Sequence, residues 1–284
     1  MKKFVAVTTF NKAYYDGLAK RMIETFVQFW PKEVELVCYL EDMDSIDIDA
    51  PNVRTVNVFE QCNPELQSYL DFIGTHFSRG FAYKAFTFVD AARNIDADQI
   101  IYLDADSVTY NTVTMSWLES LLPDDKICAY MGVTMNKGKW KGSNRQHSDS
   151  GIYWFNRKHP YANNFIDRYE NIYVSRDVKN DKERFPKPND AYVLVDCIID
   201  AQKHSVESVD FHPQRKALSP LKETILGNYF RHFKAARKND PEMDKFIDKI
   251  TAGEDPYALE DEHKGKVNLK ESGVHFVREW KKQK

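Results

Sequence analysis

The chain has no CxxC pair among its four cysteines (Cys38, Cys62, Cys128, Cys197). Cys38, Cys128 and Cys197 lie inside apolar runs and read as core thiols, so a reducing, cytoplasmic setting is expected rather than a disulfide framework. No apolar stretch is long enough to cross a bilayer. The start, Met1-Lys2-Lys3 and then Phe4 to Val7, is basic, but its apolar run falls short of a signal-peptide core. A membrane-anchored secretory protein is therefore not expected. Glycine is missing from Thr8-Thr9-Phe10-Asn11, directly after the first expected strand. That stretch lacks the glycine-rich cradle that usually holds a nucleoside triphosphate. No internal repeat, low-complexity tract or clear linker interrupts the 284 residues.

What is present is an ordinary soluble composition, 42% hydrophobic and 29% charged, in a chain long enough for one large α/β domain or two merged lobes. The net charge of −3 hides an asymmetry: residues 1–130 carry 11 basic against 20 acidic side chains, residues 131–284 carry 29 against 23. A more basic second half suits an anionic partner there, with a solvated surface as the alternative. Phe4 to Thr9 reads as a strand, Ala13 to Phe29 as a helix stopped at Trp30-Pro31, and Glu33 to Leu40 and Val53 to Phe59 as two more strands. Strand, helix and strand joined by short connections predict a parallel sheet with right-handed crossovers. Helices are expected over Phe81 to Arg93, Thr114 to Leu122, Asn163 to Val174 and Ala191 to Lys203, with sheet strands at Lys126 to Val133 and Val206 to Phe211. Asp177 to Pro188 reads as a polar loop, and His147 to Asn156 as a polar turn running into an aromatic strand.

The sheet's organising stretch is Gln99 to Leu103, a short apolar run ending in Asp104-Ala105-Asp106. On an extended chain, residues two apart point the same way, so both carboxylates would aim beyond the strand's C-terminal edge. Two carboxylates that close repel unless a cation lies between them, and oxygen ligands suit Mn²⁺ or Mg²⁺. A plain turn is the alternative. Parallel sheets bind ligands at that same edge, which puts Thr8, Thr9 and Asn11 on the rim with the Asp pair.

Lys84 falls in an apolar helix and is either a snorkelling surface lysine or a cation for the acidic site or for donor phosphates. Lys137, Lys139, Trp140, Lys141 and Arg145 alternate with glycine in a stretch suited to phosphates and a stacked ring, or to mobile solvated loop. Asn189-Asp190 stands at a helix start, where Asp190 competes between capping and a functional role. His232, among Arg231, Lys234, Arg237 and Lys238, is a poor core candidate and suits an anion site or a metal ligand beside it.

Taken in order, Phe4 to Phe29, Lys84, Asp104-Ala105-Asp106, Asp149-Ser150-Gly151, Asn189-Asp190 and His232 to Lys238 resemble the nucleotide-sugar-dependent glycosyltransferases of GT-A fold, nearest the glycogenin-like, galactosyltransferase-type group. The resemblance covers most of residues 1–240. It implies a single Rossmann-like α/β domain with a mostly parallel sheet flanked by helices, plus a helical C-terminal part. It implies a nucleotide-sugar-binding half over 1–130, an acceptor-binding half over 131–218, and a segment closing the donor site over 219–284. It further implies that Asp104, Asp106 and His232 bind Mn²⁺ or Mg²⁺, that Thr8, Thr9, Tyr14 and Lys84 contact a UDP-sugar donor, and that Lys238 binds its diphosphate. Asp149 and Asp190 would face the sugar and the acceptor, and the late histidine resembles the retaining members. One position departs from the family, which has glycine three residues after the histidine where this chain has Ala235.

The expected activity is transfer of a sugar to an acceptor hydroxyl, of a glycan or of a modified base in DNA, the latter on account of the basic stretch 137–145. Two other readings stand beside it: a nucleotidyltransferase using the same carboxylates, and a binding protein that kept the fold and lost catalysis.

Overall fold

Strand β1, Phe4–Phe10, is buried along its whole length, and its side chains divide between two apolar clusters. Val5 and Val7 enter one cluster, while Phe4, Ala6 and Phe10 enter the other. That division is the mark of a strand covered on both faces. The computed structural model describes residues 2–62, 64–76, 78–134, 146–212 and 220–233, with Lys245, Asp248, Lys249 and Ala252. Residues 1–238 form one unit and 239–284 a second.

The first unit contains a seven-stranded sheet with β2 (Glu35–Leu40), β3 (Val53–Asn57), β4 (Gln99–Leu103), β6 (Cys128–Thr134), β7 (Gln146–Asn156) and β8 (Val209–Asp210) around β1, in the order β3-β2-β1-β4-β7-β6-β8. Pairs β3–β2, β2–β1, β1–β4 and β6–β8 are parallel, and β4–β7 and β7–β6 are antiparallel. The sheet is thus mostly parallel, as expected. A separate antiparallel ribbon pairs β5 (Ser107–Thr109) with β9 (Phe230–His232).

Helices cover both faces. Asn11 accepts the Tyr14 N–H at 2.9 Å and opens α1 (Lys12–Tyr14), which continues through a π-helical turn, Tyr15–Ala19, into α2 (Lys20–Phe29). The expected helix is therefore present but locally widened. Strand β3 stops earlier than expected because the Asn57 side chain accepts the Phe59 N–H at 2.9 Å and so starts α3 (Val58–Cys62). Helix α4 (Glu65–Ile73) was not anticipated, although Leu66, Tyr69, Leu70 and Ile73 have helical spacing. Gly74, at φ +61°, ends it. Helix α5 (Arg79–Asn94) packs Phe88 edge-on against Tyr153, Phe155 and Tyr169, the last from α7 (Ala162–Val174). Thr114 caps α6 (Met115–Leu121).

The polar stretch after α7 holds a short helix, α8 (Asp177–Asn180), because Val178 and Phe185 are buried there. Helix α9 (Asp190–Lys203) follows. Strand β7 already includes His147 and Ser148, paired with Val133 and Gly132, where a polar turn was expected. Only Val209 and Asp210 of the expected last strand pair with the sheet. The expected helical C-terminal part is described over 220–233 as two 3₁₀ turns, Pro220–Glu223 and Ile225–Asn228, and strand β9. In the second unit, Ala252 N–H donates to Asp248 O at 2.9 Å. All four cysteines are buried free thiols. Among the described residues no helix is long and apolar enough to cross a membrane.

Strand β9 reaches its place through the turn at Gly227, where an added Cβ would stand 2.5 Å from Leu221 O. Gly227→Ala is expected to lower stability by about 1–3 kcal/mol through overpacking. Gly80→Ala, with nothing within 4 Å of an added Cβ, is expected not to lower it. Thermal unfolding of the two variants checks the contrast.

Candidate functional site

Leaving β4, the chain does not stay extended. Ser107 N–H donates to Asp104 O at 2.9 Å, closing a turn over Asp104-Ala105-Asp106-Ser107. Ala105 is buried in the apolar cluster behind that turn. The two carboxylates therefore converge through a tight turn, which corrects the expectation of strand alternation. Asp104 is also held from β7, its N–H donating to Gly151 O at 2.7 Å.

Strand β9 places His232 directly opposite Ser107, one residue beyond Asp106. Phe233 N–H extends the ribbon by donating to Asp106 O at 2.8 Å. The ribbon is anchored by aromatic packing: Trp117 lies 4.0 Å from the Tyr229 ring centre, and Trp30 lies 5.9 Å from that of Phe230 while its Nε1 donates to Thr109 Oγ1. His232 Nε2 ends 2.8 Å from Asp106 Oδ1 and 3.6 Å from Asp104 Oδ2, and Nδ1 is 3.8 Å from Asp149 Oδ1. One ligand atom each from Asp104, Asp106 and His232 lies within 4.8 Å of the others. Two carboxylate oxygens and an imidazole nitrogen at that spacing fit a divalent cation such as Mn²⁺ or Mg²⁺. Gly151 makes the approach possible. A Cβ there would stand 2.8 Å from the His232 ring and 3.3 Å from Asp104 Oδ2. The sequence carried that glycine inside Asp149-Ser150-Gly151, but a close approach of this kind has no local signature.

Lys84 is buried, so the snorkelling alternative falls. Its Nζ lies 2.7 Å from Asp104 Oδ1, 2.6 Å from Ser150 O and 2.9 Å from Asp190 Oδ2. Asp104 Oδ1 and Ser150 O accept its hydrogen bonds, and Asp190 Oδ2 pairs with it by charge. The Tyr102 ring lies beside it, 4.7 Å away. Asp190 is 1% exposed and is not the helix cap, since Asn189 accepts the Tyr192 N–H. Its carboxylate belongs to Lys84.

On β1 the Thr8 side chain is fully buried, with no partner for Oγ1 among the described residues. Thr9 faces the other way, with Oγ1 at 3.1 Å from both Tyr39 O and Glu41 Oε1. Tyr14 is half-buried, and burial together with the charges of Asp106, Asp104 and Glu41 pushes its pKa up to about 12. Thr9, Tyr14, Asp104 and Asp106 thus share the C-terminal rim of the sheet, and Asp149, Asp190, Lys84 and His232 close on the Asp pair. Lys238, Ala235 and the basic stretch Lys137, Lys139, Trp140, Lys141 and Arg145 lie outside the described residues.

No family model matches the chain, and no curated protein does. Several solved structures are similar. Mouse xyloside xylosyltransferase 1 is 12% identical over 73% of this chain and 84% of that one, at a TM-score of 0.46. The mannosyltransferase Ktr4p from S. cerevisiae, in complex with GDP, is 8% identical over 73% and 69%, at a TM-score of 0.45. The bifunctional glycosyltransferase WbbM is 14% identical over 63% of this chain, at a TM-score of 0.41, and the chain spans 37% of its length.

Asp104 and His232 are among the site groups that hold protons more tightly than in an unfolded chain. For Asp104, burial and the Asp106 charge outweigh Lys84 and His232 and raise the pKa above 3.8. For His232, burial opposes the charge, but the hydrogen bond to Asp106 and the charges of Asp106, Asp104 and Asp149 prevail and raise it above 6.5. A raised pKa contributes stability that is fully present below the unfolded value and is lost as pH rises through the folded one. Chelator-treated protein is therefore expected to lose thermal stability as pH climbs past 6.5, with His232→Gln lacking that decline. A melting temperature that is flat or rising with pH in this range contradicts the arrangement.

Proposed function

We propose that the chain is a metal-dependent glycosyltransferase that moves a sugar from a UDP-sugar to an acceptor hydroxyl, of a glycan in the first instance, with retention of anomeric configuration. The observation that carries this reading is the convergence of Asp104, Asp106 and His232 at the carboxyl edge of a mostly parallel sheet. That edge is where such sheets take nucleotides.

Asp104, Asp106 and His232 would hold the divalent cation. When bound, it supplies positive charge against the diphosphate oxygens as the leaving group's charge grows. Lys84 does its work within the protein, fixing Asp104 so that one of its oxygens stays turned to the ligand cluster. Thr9 and Tyr14 border the nucleoside side of the rim, with Thr8 contributing backbone. Asp149, beside His232, faces the sugar, and Asp190 acts on the acceptor side through Lys84.

Both of these carboxylates are engaged, which supports a step needing no side-chain base. The acceptor oxygen bonds to the anomeric carbon, the carbon–oxygen bond to the diphosphate breaks on the same face, and the acceptor proton passes to the departing diphosphate oxygen. This path keeps the anomer and balances charge. It also separates the reading from a nucleotidyltransferase, whose bond-breaking lies between phosphates.

Incubating the protein with a UDP-sugar panel and Mn²⁺ is expected to release UDP and yield a product of unchanged anomeric configuration by NMR. Asp106→Asn and His232→Ala are each expected to lower turnover roughly a hundredfold or more. Gly151→Ala is expected to weaken Mn²⁺ binding without removing a ligand, by displacing the imidazole. Full turnover in Asp106→Asn, or no UDP release from any donor, overturns the proposal, and an inverted anomer overturns retention.

A further inference from the structure

The Asp104–Asp106–His232 cluster and Lys84 account for the diphosphate and sugar end of a donor. Farther along the same rim lies Glu41, which the sequence pattern did not single out. Strands β1 and β2 are parallel with Phe10 opposite Leu40, so Glu41 is the first residue past β2 on the same rim. Its N–H donates to Phe10 O at 3.1 Å, fixing the backbone there. The side chain is half-buried, with Oε1 at 3.1 Å from the Thr9 hydroxyl.

A carboxylate offers about four acceptor positions, and this one has a single hydroxyl described beside it. Burial, with the neighbouring Asp42 charge, pushes its pKa up to about 7, which marks a carboxylate short of donors. Thr9 and Asp42 adjoin it, and Tyr14, Tyr83 and Tyr102 feel its charge. Tyr14 feels the charges of Asp106, Asp104 and Glu41, so all three acids lie around it on this rim. A nucleotide with its diphosphate at the Asp pair would run along this carboxyl edge, on which Glu41 lies beside Thr9. An acidic residue just past the second strand is also where doubly wound sheets take hydrogen bonds from a nucleoside.

We infer that Glu41 is the base-reading residue of the donor site, its carboxylate accepting a hydrogen bond from a ring N–H of the base and so selecting uracil over cytosine. Uracil presents N3–H as a donor at that edge. Cytosine presents a bare N3 lone pair, which repels a carboxylate. The assignment rests on the donor-site reading proposed above.

Affinities of UDP, CDP and 2′-deoxy-UDP, measured by calorimetry with Mn²⁺ on the full chain and on Glu41→Gln, test it. Glutamine keeps an acceptor for Thr9 and offers either an acceptor or a donor to the base. The full chain is expected to prefer UDP to CDP by roughly ten- to a hundredfold. Glu41→Gln is expected to bring that ratio near one, while 2′-deoxy-UDP follows UDP in both. The ratio does not depend on the folded fraction, so a loss of stability does not mimic the result. An unchanged ratio in Glu41→Gln overturns the inference. Equal weakening of UDP and CDP in the variant, with 2′-deoxy-UDP already weak in the full chain, also overturns it by placing the carboxylate on the ribose. If the unsubstituted chain binds neither UDP nor CDP, the donor-site reading itself fails and this assignment goes with it.

Discussion

The site depends on one buried ammonium. Lys84, carried on α5, binds the carboxylate of Asp104 at the tip of β4, the carbonyl of Ser150 on β7 and the carboxylate of Asp190 at the start of α9. Four elements, spread from Lys84 to Asp190 in sequence, are joined at one atom. Taking a lysine out of water is costly, and taking out two carboxylates is costlier still. Together, with the ammonium hydrogen-bonded to Asp104 and Ser150 and paired by charge with Asp190, they form a set that tolerates burial. Removing the cation would leave Asp104 and Asp190 facing each other in a poorly hydrated place, a loss on the order of 3–5 kcal/mol for a buried pair. The ion pair also sets direction. With Oδ1 taken by Lys84, Asp104 has Oδ2 left for the cluster with His232.

The second constraint is steric. The histidine arrives on a two-stranded ribbon, β5 with β9, whose partners lie more than a hundred residues apart. Trp30 and Trp117 clamp that ribbon from the helical layer, so apolar packing brings the imidazole to the site and its contact with Asp106 holds it there. It then passes over Gly151 at a distance that leaves no space for a side chain. Apolar burial, an ion pair and one glycine thus act together to gather three donor atoms that would otherwise repel or clash.

The same rim shows a division of labour between its two ends. Around Asp104 both carboxylate oxygens have a partner within the protein, Lys84 for one and His232 for the other. Around Glu41 a half-buried carboxylate has one hydroxyl described beside it. Under-satisfied polar groups at a sheet's carboxyl edge are what a ligand with complementary donors completes.

Local pattern was enough for the sheet's parallel half, the Asp pair after an apolar strand, and the helices over Phe81 to Arg93 and Ala191 to Lys203. The periodicity of buried faces is written residue by residue. It was also enough to single out His232, because a histidine among basic residues is ill suited to a core. It misjudged β3 and the start of β7, where Asn57 recruits the next turn and Ser148 and Asp149 are buried in a strand despite their polarity. It left open whether Lys84 was surface or core, and whether Asp190 capped a helix. Those questions turn on what lies opposite a side chain in space. Sequence by itself determined which groups were available for chemistry and on which elements they ride. Only the tertiary structure decided that Asp104 and Asp106 meet through a turn, that Lys84 spends its protons inside the protein, and that Gly151 clears a path for His232. Pair distances between remote segments follow from packing, which no local stretch of chain encodes.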